Sequence, residues 1–172
     1  MKHNSLKLFI MGLACVFSLN SIFEEKLDIK DDFRLRHLHV SDFKKGICEL
    51  LEQLTFIGAV GTSHFESFRF KLTRDHIVLV IEDFDQHKIV AAGTLFIEPK
   101  LIHTGGRVGH IEDVVTDEAM RGKGFGKLII ARLEAYANAR GCYKTILDCS
   151  EKNVSFYRSC SFRPCGIEME KR

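Results

Sequence analysis

Proline is nearly absent from this chain: Pro99 and Pro164 are the two in 172 residues. No repeat, low-complexity tract or Pro/Gly/Ser-rich stretch marks a linker, so one domain is expected. Runs of lysine or arginine are missing too, and the formal net charge is +2, which argues against a nucleic-acid partner. Six cysteines are present (Cys15, Cys48, Cys142, Cys149, Cys160 and Cys165), but none forms a Cys-x-x-Cys pair. No histidine pair supplies zinc spacing either. The expectation is therefore reduced thiols and no metal. An apolar run from Leu8 to Leu19 follows Lys2, His3 and Lys7. It is too short to span a bilayer comfortably, though it fits the hydrophobic region of a secretory signal, with Ser18-Leu19-Asn20-Ser21 as a mediocre cleavage context. Residues 1–23 are thus a signal, an endomembrane anchor, or an extension outside a functional domain covering residues 24–172.

From Asp32 onward the pattern is mixed α/β. Alternation over residues 33–38 predicts a half-buried strand. Ser41 or Asp42 can cap a helix running to about Leu54, with Phe43, Ile47, Leu50, Leu51 and Leu54 on one face. A second short helix is expected after Gly58 to Gly61, with Thr62 as cap and Phe65, Phe68 and Leu72 inside. Strands are expected over 76–82, 88–97 and 107–116. A helix over 127–140, closed by Gly141, leads to a strand over 143–148. A helix over 152–160 and a last strand over 162–170 complete the order.

The most specific stretch is Val114-Val115-Thr116-Asp117-Glu118-Ala119-Met120-Arg121-Gly122-Lys123-Gly124-Phe125-Gly126-Lys127. An apolar strand enters a turn carrying Arg-x-x-Gly-x-Gly, and an amphipathic helix follows at once. Glycines let backbone approach a ligand, and a new helix N-terminus offers unpaired N–H groups to an anion. That makes a pyrophosphate cradle. It is not the dinucleotide fingerprint, which needs an acidic residue about 20 positions on, and the spacing is not that of a Walker A loop. The order strand, Arg-x-x-Gly-x-Gly, helix resembles the acetyl-CoA motif of the GCN5-related N-acetyltransferases (GNAT). The resemblance implies their acyl-CoA N-acyltransferase fold, a mixed α/β sheet in a single domain, with acetyl-CoA as substrate.

Further segments narrow the resemblance. Gly109-His110-Ile111-Glu112-Asp113-Val114, the run from Gly141 to Cys149, Glu151 to Tyr157 and the ending Gly166 to Arg172 are similar to the eukaryotic glucosamine 6-phosphate N-acetyltransferases. So are Gln53-Leu54-Thr55 and Lys100-Leu101-Ile102-His103. The matches are collinear over roughly residues 30–172. They imply acetyl transfer to glucosamine 6-phosphate by direct attack in a ternary complex, on the route to UDP-N-acetylglucosamine. They also imply a homodimer in which each sugar-phosphate site draws on both subunits. Since acetyl-CoA is a cytosolic metabolite, a cytoplasmic location is expected, with endomembrane association if residues 1–23 act as an anchor.

Direct transfer needs a neutral amine, a stabilised oxyanion and a proton for the departing thiolate. By resemblance Tyr157 hydrogen-bonds the coenzyme sulfur, and a phenol can protonate a thiolate placed within reach. Glu112 and Asp113 are assigned to amine recognition or proton removal, although neighbours on a regular strand face opposite sides. Asp148 orders the amine or the groups near the thioester. The sugar phosphate falls to Thr55, Lys100, His103, Tyr143, Lys144 and Arg172, together with Glu112, Asp113 and Val114. The coenzyme falls to the backbone of Val114, Val115 and Thr116, to Arg121, Gly122, Lys123, Gly124, Phe125, Gly126 and Lys127, and to Asn153 and Tyr157. One departure stands in Cys160-Ser161-Phe162, where the family carries glycine before phenylalanine. Serine must then adopt the left-handed conformation, at about 1 kcal/mol. Two other readings compete: a GNAT enzyme for another small amine or a protein N-terminus, and a non-catalytic acetyl-CoA-binding module. The basic residues favour a phosphorylated acceptor, and the tyrosine and carboxylates favour catalysis.

Overall fold

The computed structural model describes residues 32–171; residues 1–23, Cys15 and Arg172 lie outside them. Five strands form one sheet in chain order: β1 (Phe33–His37), β2 (His76–Asp83), β3 (Lys88–Pro99), β4 (Arg107–Thr116) and β5 (Cys142–Ile146). β1 to β4 are antiparallel neighbours, and β5 lies parallel to β4. Among the described residues, α1 (Ile47–Glu52), α2 (Thr62–Lys71), α3 (Phe125–Ala139) and α4 (Val154–Ser159) accompany them, with one further turn at Ile102–Gly105 in which His103 and Thr104 are left-handed. A parallel neighbour needs a crossover, and α3 is that crossover.

β2 and β3 are apolar at nearly every position because both faces of the sheet are covered. Ile77, Leu79 and Ile81 of β2 pack with Leu95, Ile97 and Ile111 and with Ile129, Ile130 and Leu133 of α3. The alternate residues Val78 and Val80 pack with Leu38, Ile47, Leu50 and Phe65 on the opposite face. Each fully buried side chain of this kind contributes about 1.5–3 kcal/mol. α3 approaches β3 closely at Gly93, where a Cβ would stand 2.4 Å from Cγ2 of Ile129. A side chain at that position would force the helix off the sheet.

Several expectations shift. The helix expected up to Leu54 is divided: a 3-10 turn covers Val40–Lys45, Gly46 follows at φ 79°, and α1 begins after it. The cap is His39, whose ring accepts from the Ser41 N–H, while the Asp42 side chain accepts from the His39 N–H. Asp42 is fully buried because Arg36 of β1 grips both its oxygens at 2.6 and 2.8 Å. That ion pair fixes the turn. Leu54 falls beyond α1 and is exposed, as is Phe68 on α2. Thr62 is the first residue of α2 with Gly61 as its cap, and α3 starts at Phe125, two residues before the expected position.

The expected last strand does not form. Residues 162–171 carry no secondary structure, and Ile167 and Met169 are 89% and 88% exposed. A strand needs a neighbour to bond, and no strand among the described residues pairs with this segment; β5 keeps one edge unpaired. At Ser161 the expectation holds. Its φ is +69°, the Ser161 N–H donates to Arg158 O, and the Phe162 N–H donates to Tyr157 O. Those two bonds close α4 in a Schellman motif with serine where glycine usually stands. The cysteines Cys48, Cys142, Cys149, Cys160 and Cys165 are all free.

Candidate active site

β4 and β5 start side by side and then part. Their pairing runs from Arg107 beside Cys142 to His110 beside Ile146 and stops there, while β4 continues on β3 to Thr116. Beyond His110, the β4 edge that faces away from β3 has no strand partner. Val114, Val115 and Thr116 lie on this free edge, so an amide-bearing chain could bond there as an added strand. Immediately after it the Asp117 N–H donates to Val90 O, and the chain turns into the glycine loop.

Gly122 and Gly124 adopt φ of +82° and +87°, which residues with a Cβ rarely do. A Cβ on either would meet no protein atom within 4 Å. The space beside the loop is therefore open, and the backbone itself forms its wall. Gly124 precedes α3, so the N–H groups of Phe125, Gly126 and Lys127 have no partner within the helix. The Phe125 ring is buried against Phe33 at 4.9 Å, leaving only its backbone for a ligand. At Gly126 a Cβ would lie 3.1 Å from Cζ of Phe156 and 3.5 Å from Oγ1 of Thr116, so α3, α4 and β4 meet there closely. These features fit a pyrophosphate anion. Arg121 pairs with Glu118 at 3.5 Å on the surface, and the Lys123 ammonium lies 5.6 Å from the Phe33 ring centre. Both remain at the rim, as does exposed Lys127.

Two supports of this loop were not among the expected site residues. The Asp117 carboxylate accepts from the Ala119 N–H at 3.0 Å and from Lys88 at 2.6 Å. Hydrogen bonding from Lys88 holds that carboxyl below its ordinary value against the opposing effect of burial. Gln53 Oε1 accepts from the Glu118 N–H at 3.0 Å. The first was legible as an aspartate able to bond its own backbone two residues on; the second, a contact across 65 residues, was not.

The carboxylates sit where β4 is irregular. Ala92 pairs with Val115 and Thr94 with Glu112, so Asp113 and Val114 together oppose the single residue Gly93. This is a β-bulge, and Asp113 takes φ +53° within it. Strict alternation fails at this point, and the rule placing Glu112 and Asp113 on opposite faces does not apply. Both are exposed. Partial burial raises the Glu112 carboxyl, and the charges of Asp113 and Asp148 raise it further, with His110 opposing. Asp148 lies two residues past the end of β5, not on the strand. The Tyr157 phenol is pushed up by burial and by Cys149, Cys160 and Glu112, so it stays protonated beyond the usual phenol range. Glu112, Asp113, Asp148 and Tyr157 therefore share one electrostatic neighbourhood at the mouth of the splay. Asn153 caps α4 beside it and is exposed.

The phosphate candidates are elsewhere in the chain. Tyr143 is their centre: the His103 ring stacks on it at 4.2 Å, and the Lys144 ammonium lies 5.9 Å from its centroid. Lys100 pairs with Glu98 at 2.5 Å, and its N–H donates to Gly106 O. Lys144 opposes Val108, four residues before Glu112, which is about 13 Å along the strand. Thr55 lies just beyond α1, its N–H donating to Leu51 O, two residues after Gln53.

A strand splayed from its parallel neighbour, with a glycine loop and helix N-terminus at its end, defines an acyl-CoA-dependent N-acyltransferase. The chain belongs to the acetyltransferase (GNAT) family, whose model matches residues 44–162, and the family's donor is acetyl-CoA. Over 145 residues it is 43% identical to glucosamine 6-phosphate N-acetyltransferase of Arabidopsis thaliana, covering 82% of this chain and 97% of that one. Glucosamine 6-phosphate N-acetyltransferase 1 of Dictyostelium discoideum is 41% identical over 82% of this chain and 91% of its own. The crystal structure of the Arabidopsis enzyme superposes with a TM-score of 0.80 at 41% identity, covering 81% and 97% of the two chains. An acetyltransferase of Trypanosoma brucei superposes at 0.77 with 35% identity, over 82% and 99%. No helix among the described residues is long and apolar enough to cross a membrane.

Proposed function

We propose that this protein transfers the acetyl group of acetyl-CoA to the amine of D-glucosamine 6-phosphate, giving N-acetyl-D-glucosamine 6-phosphate and CoA. The observation that carries this is the parting of β4 from β5 beside the glycine loop, with Glu112 and Asp113 on the β4 bulge just beyond the last paired residue. Named relatives that extend over most of the chain support the choice of acceptor. The Val114–Thr116 edge holds the pantetheine arm, and the N–H groups from Gly122 to Lys127 hold the pyrophosphate. One of the clustered carboxylates takes the proton from the acceptor ammonium. The freed amine attacks the thioester carbon, and the C–S bond breaks as the tetrahedral intermediate collapses. Tyr157 gives its phenolic proton to the departing sulfur, and the proton shed by the nitrogen as it becomes an amide restores the phenol.

A homodimer is part of this reading. Lys144 pairs with Val108, four residues before Glu112 on β4, and in the dimer a second copy brings its Lys100, His103, Tyr143 and Lys144 to the acceptor's phosphate. Exposed apolar residues lie around the phosphate cluster: Phe96, Leu101 and Ile102. The unpaired β5 edge and the exposed segment 162–171 offer a further contact, and Arg172 would join the phosphate site through it. The location proposed is the cytoplasm, where the donor is made available.

The test is thiol release from acetyl-CoA by residues 24–172, comparing glucosamine 6-phosphate with glucosamine. Phosphate-dependent release is expected. Release with other amines alone would remove this acceptor, and bound acetyl-CoA without release would favour a binding module. A pH profile adds a second check. Asp148→Asn removes a negative neighbour that holds the Glu112 carboxyl up. Glu112 then loses its proton at lower pH, and the acid limb of kcat/KM should move down the pH scale. An acid limb that stays in place would take this pair out of the proton path.

A further inference from the structure

His110 lies between the two clusters and belongs to neither. It sits on β4 opposite Phe96 of β3 and Ile146 of β5. Its Nε2 is 2.9 Å from Oε2 of Glu98, and the same Glu98 oxygen lies 2.5 Å from the Lys100 ammonium. One carboxylate is thus shared by an imidazole and an ammonium. His110 is also two residues from Glu112 on the same strand, about 7 Å away. The titratable groups on the same face are Glu98 and Lys100 from the end of β3, Glu112 from β4, and His76 of β2 across the Phe96 ring. On the β5 side its neighbour Ile146 is uncharged, and Lys144, paired with Val108, stands two residues further along.

Lys100 cannot give its charge wholly to a substrate phosphate while it neutralises Glu98. When an anion takes Lys100, Glu98 keeps His110 as its remaining partner, and a second negative group has arrived nearby. We propose that His110 is a positioning residue that takes up a proton when a phosphate displaces Glu98 from Lys100, carrying the occupancy of the phosphate cluster to Glu112. This rests on the function proposed above, in which Lys100 binds the acceptor's phosphate. The cationic ring then favours ionised Glu112, the form that holds or deprotonates an ammonium. In a dimer where Lys100 faces the partner's sugar, the same relay links the two active sites.

The effect has a definite sign. Binding takes up a proton at His110, so affinity for the phosphorylated acceptor falls as pH rises through the titration of that ring. The test follows the His110 ring resonance by NMR titration in the whole protein, assigned by its loss in His110→Gln. The titration is run with and without glucosamine 6-phosphate, and again with glucosamine. We expect the His110 midpoint to rise with the phosphate compound and to stay put with glucosamine. In Glu98→Gln the rise should vanish while the protein remains folded. Calorimetry in buffers of different ionisation enthalpy should give a larger proton uptake for wild type than for Glu98→Gln. Phosphate-dependent turnover with an unmoved His110 midpoint would overturn the relay alone. Absence of any phosphate-dependent turnover would overturn the function and the relay together.

Discussion

Gly124→Val is expected to abolish measurable acetyl-CoA binding while the domain still folds. Gly124 stands at φ +87° immediately before α3, and a Cβ there would meet no protein atom within 4 Å. The side chain would leave the backbone toward the open space where the occupant of the cradle would lie. Forcing a branched residue into the left-handed region costs about 1–2 kcal/mol, which should lower the melting temperature by several degrees in a domain of this size. The ligand loses more. Two charge-assisted hydrogen bonds to phosphate are worth about 1.5–3 kcal/mol each, so affinity should fall roughly 10²-fold or further. Calorimetric titration with CoA and a thermal melt separate the two effects. Unchanged affinity would refute the cradle, and a molten variant would be recognised by its melt.

Tyr157→Phe should lower kcat by about 10²-fold with little change in KM. The ring keeps its packing against Phe156 and Phe162, at 5.1 and 6.2 Å between centroids, so stability should be held. What is lost is a hydroxyl proton. Because burial and its neighbours keep this phenol protonated beyond the usual range, wild-type activity should not decline through tyrosine ionisation until alkaline pH. Steady-state kinetics with both substrates saturating gives the answer. A rise in KM with kcat unchanged would mean that Tyr157 binds substrate and does not deliver the proton.

How far the sequence could be read depended on whether the needed partner was local. Apolar runs such as Ile77 to Ile81 announced strands covered on both faces, and the glycine loop announced the cradle, because periodicity and backbone freedom are properties of adjacent residues. Ser161 was readable for the same reason: a helix end wants a left-handed residue, and serine occupied its place. The division of the first helix at Gly46 was not legible, since it follows from Arg36 reaching Asp42 from another strand. Nor was the bulge at Asp113. It exists because Gly93 alone faces two residues of β4, and that requires the register of a neighbouring strand. The last strand was misread because its alternation is local, whereas pairing is not: residues 162–171 stay unpaired beside the free edge of β5. Tyr157, Glu112, Asp113 and Asp148 were nameable from motif resemblance, but their mutual effect on acidity emerges only when β4, the end of β5 and α4 are brought together.

The unpaired edge of β5 also has a consequence in time. The residues from 162 onward are synthesised after every strand of the sheet. Chains fold from the N-terminal side as they emerge, so the sheet is in place before the segment that would extend it exists. An open strand edge is a template for any extended chain nearby. During that interval a newly made molecule is exposed to wrong partners, and the hazard grows with the local density of nascent copies. Slow translation of the codons from 162 onward would lengthen the interval.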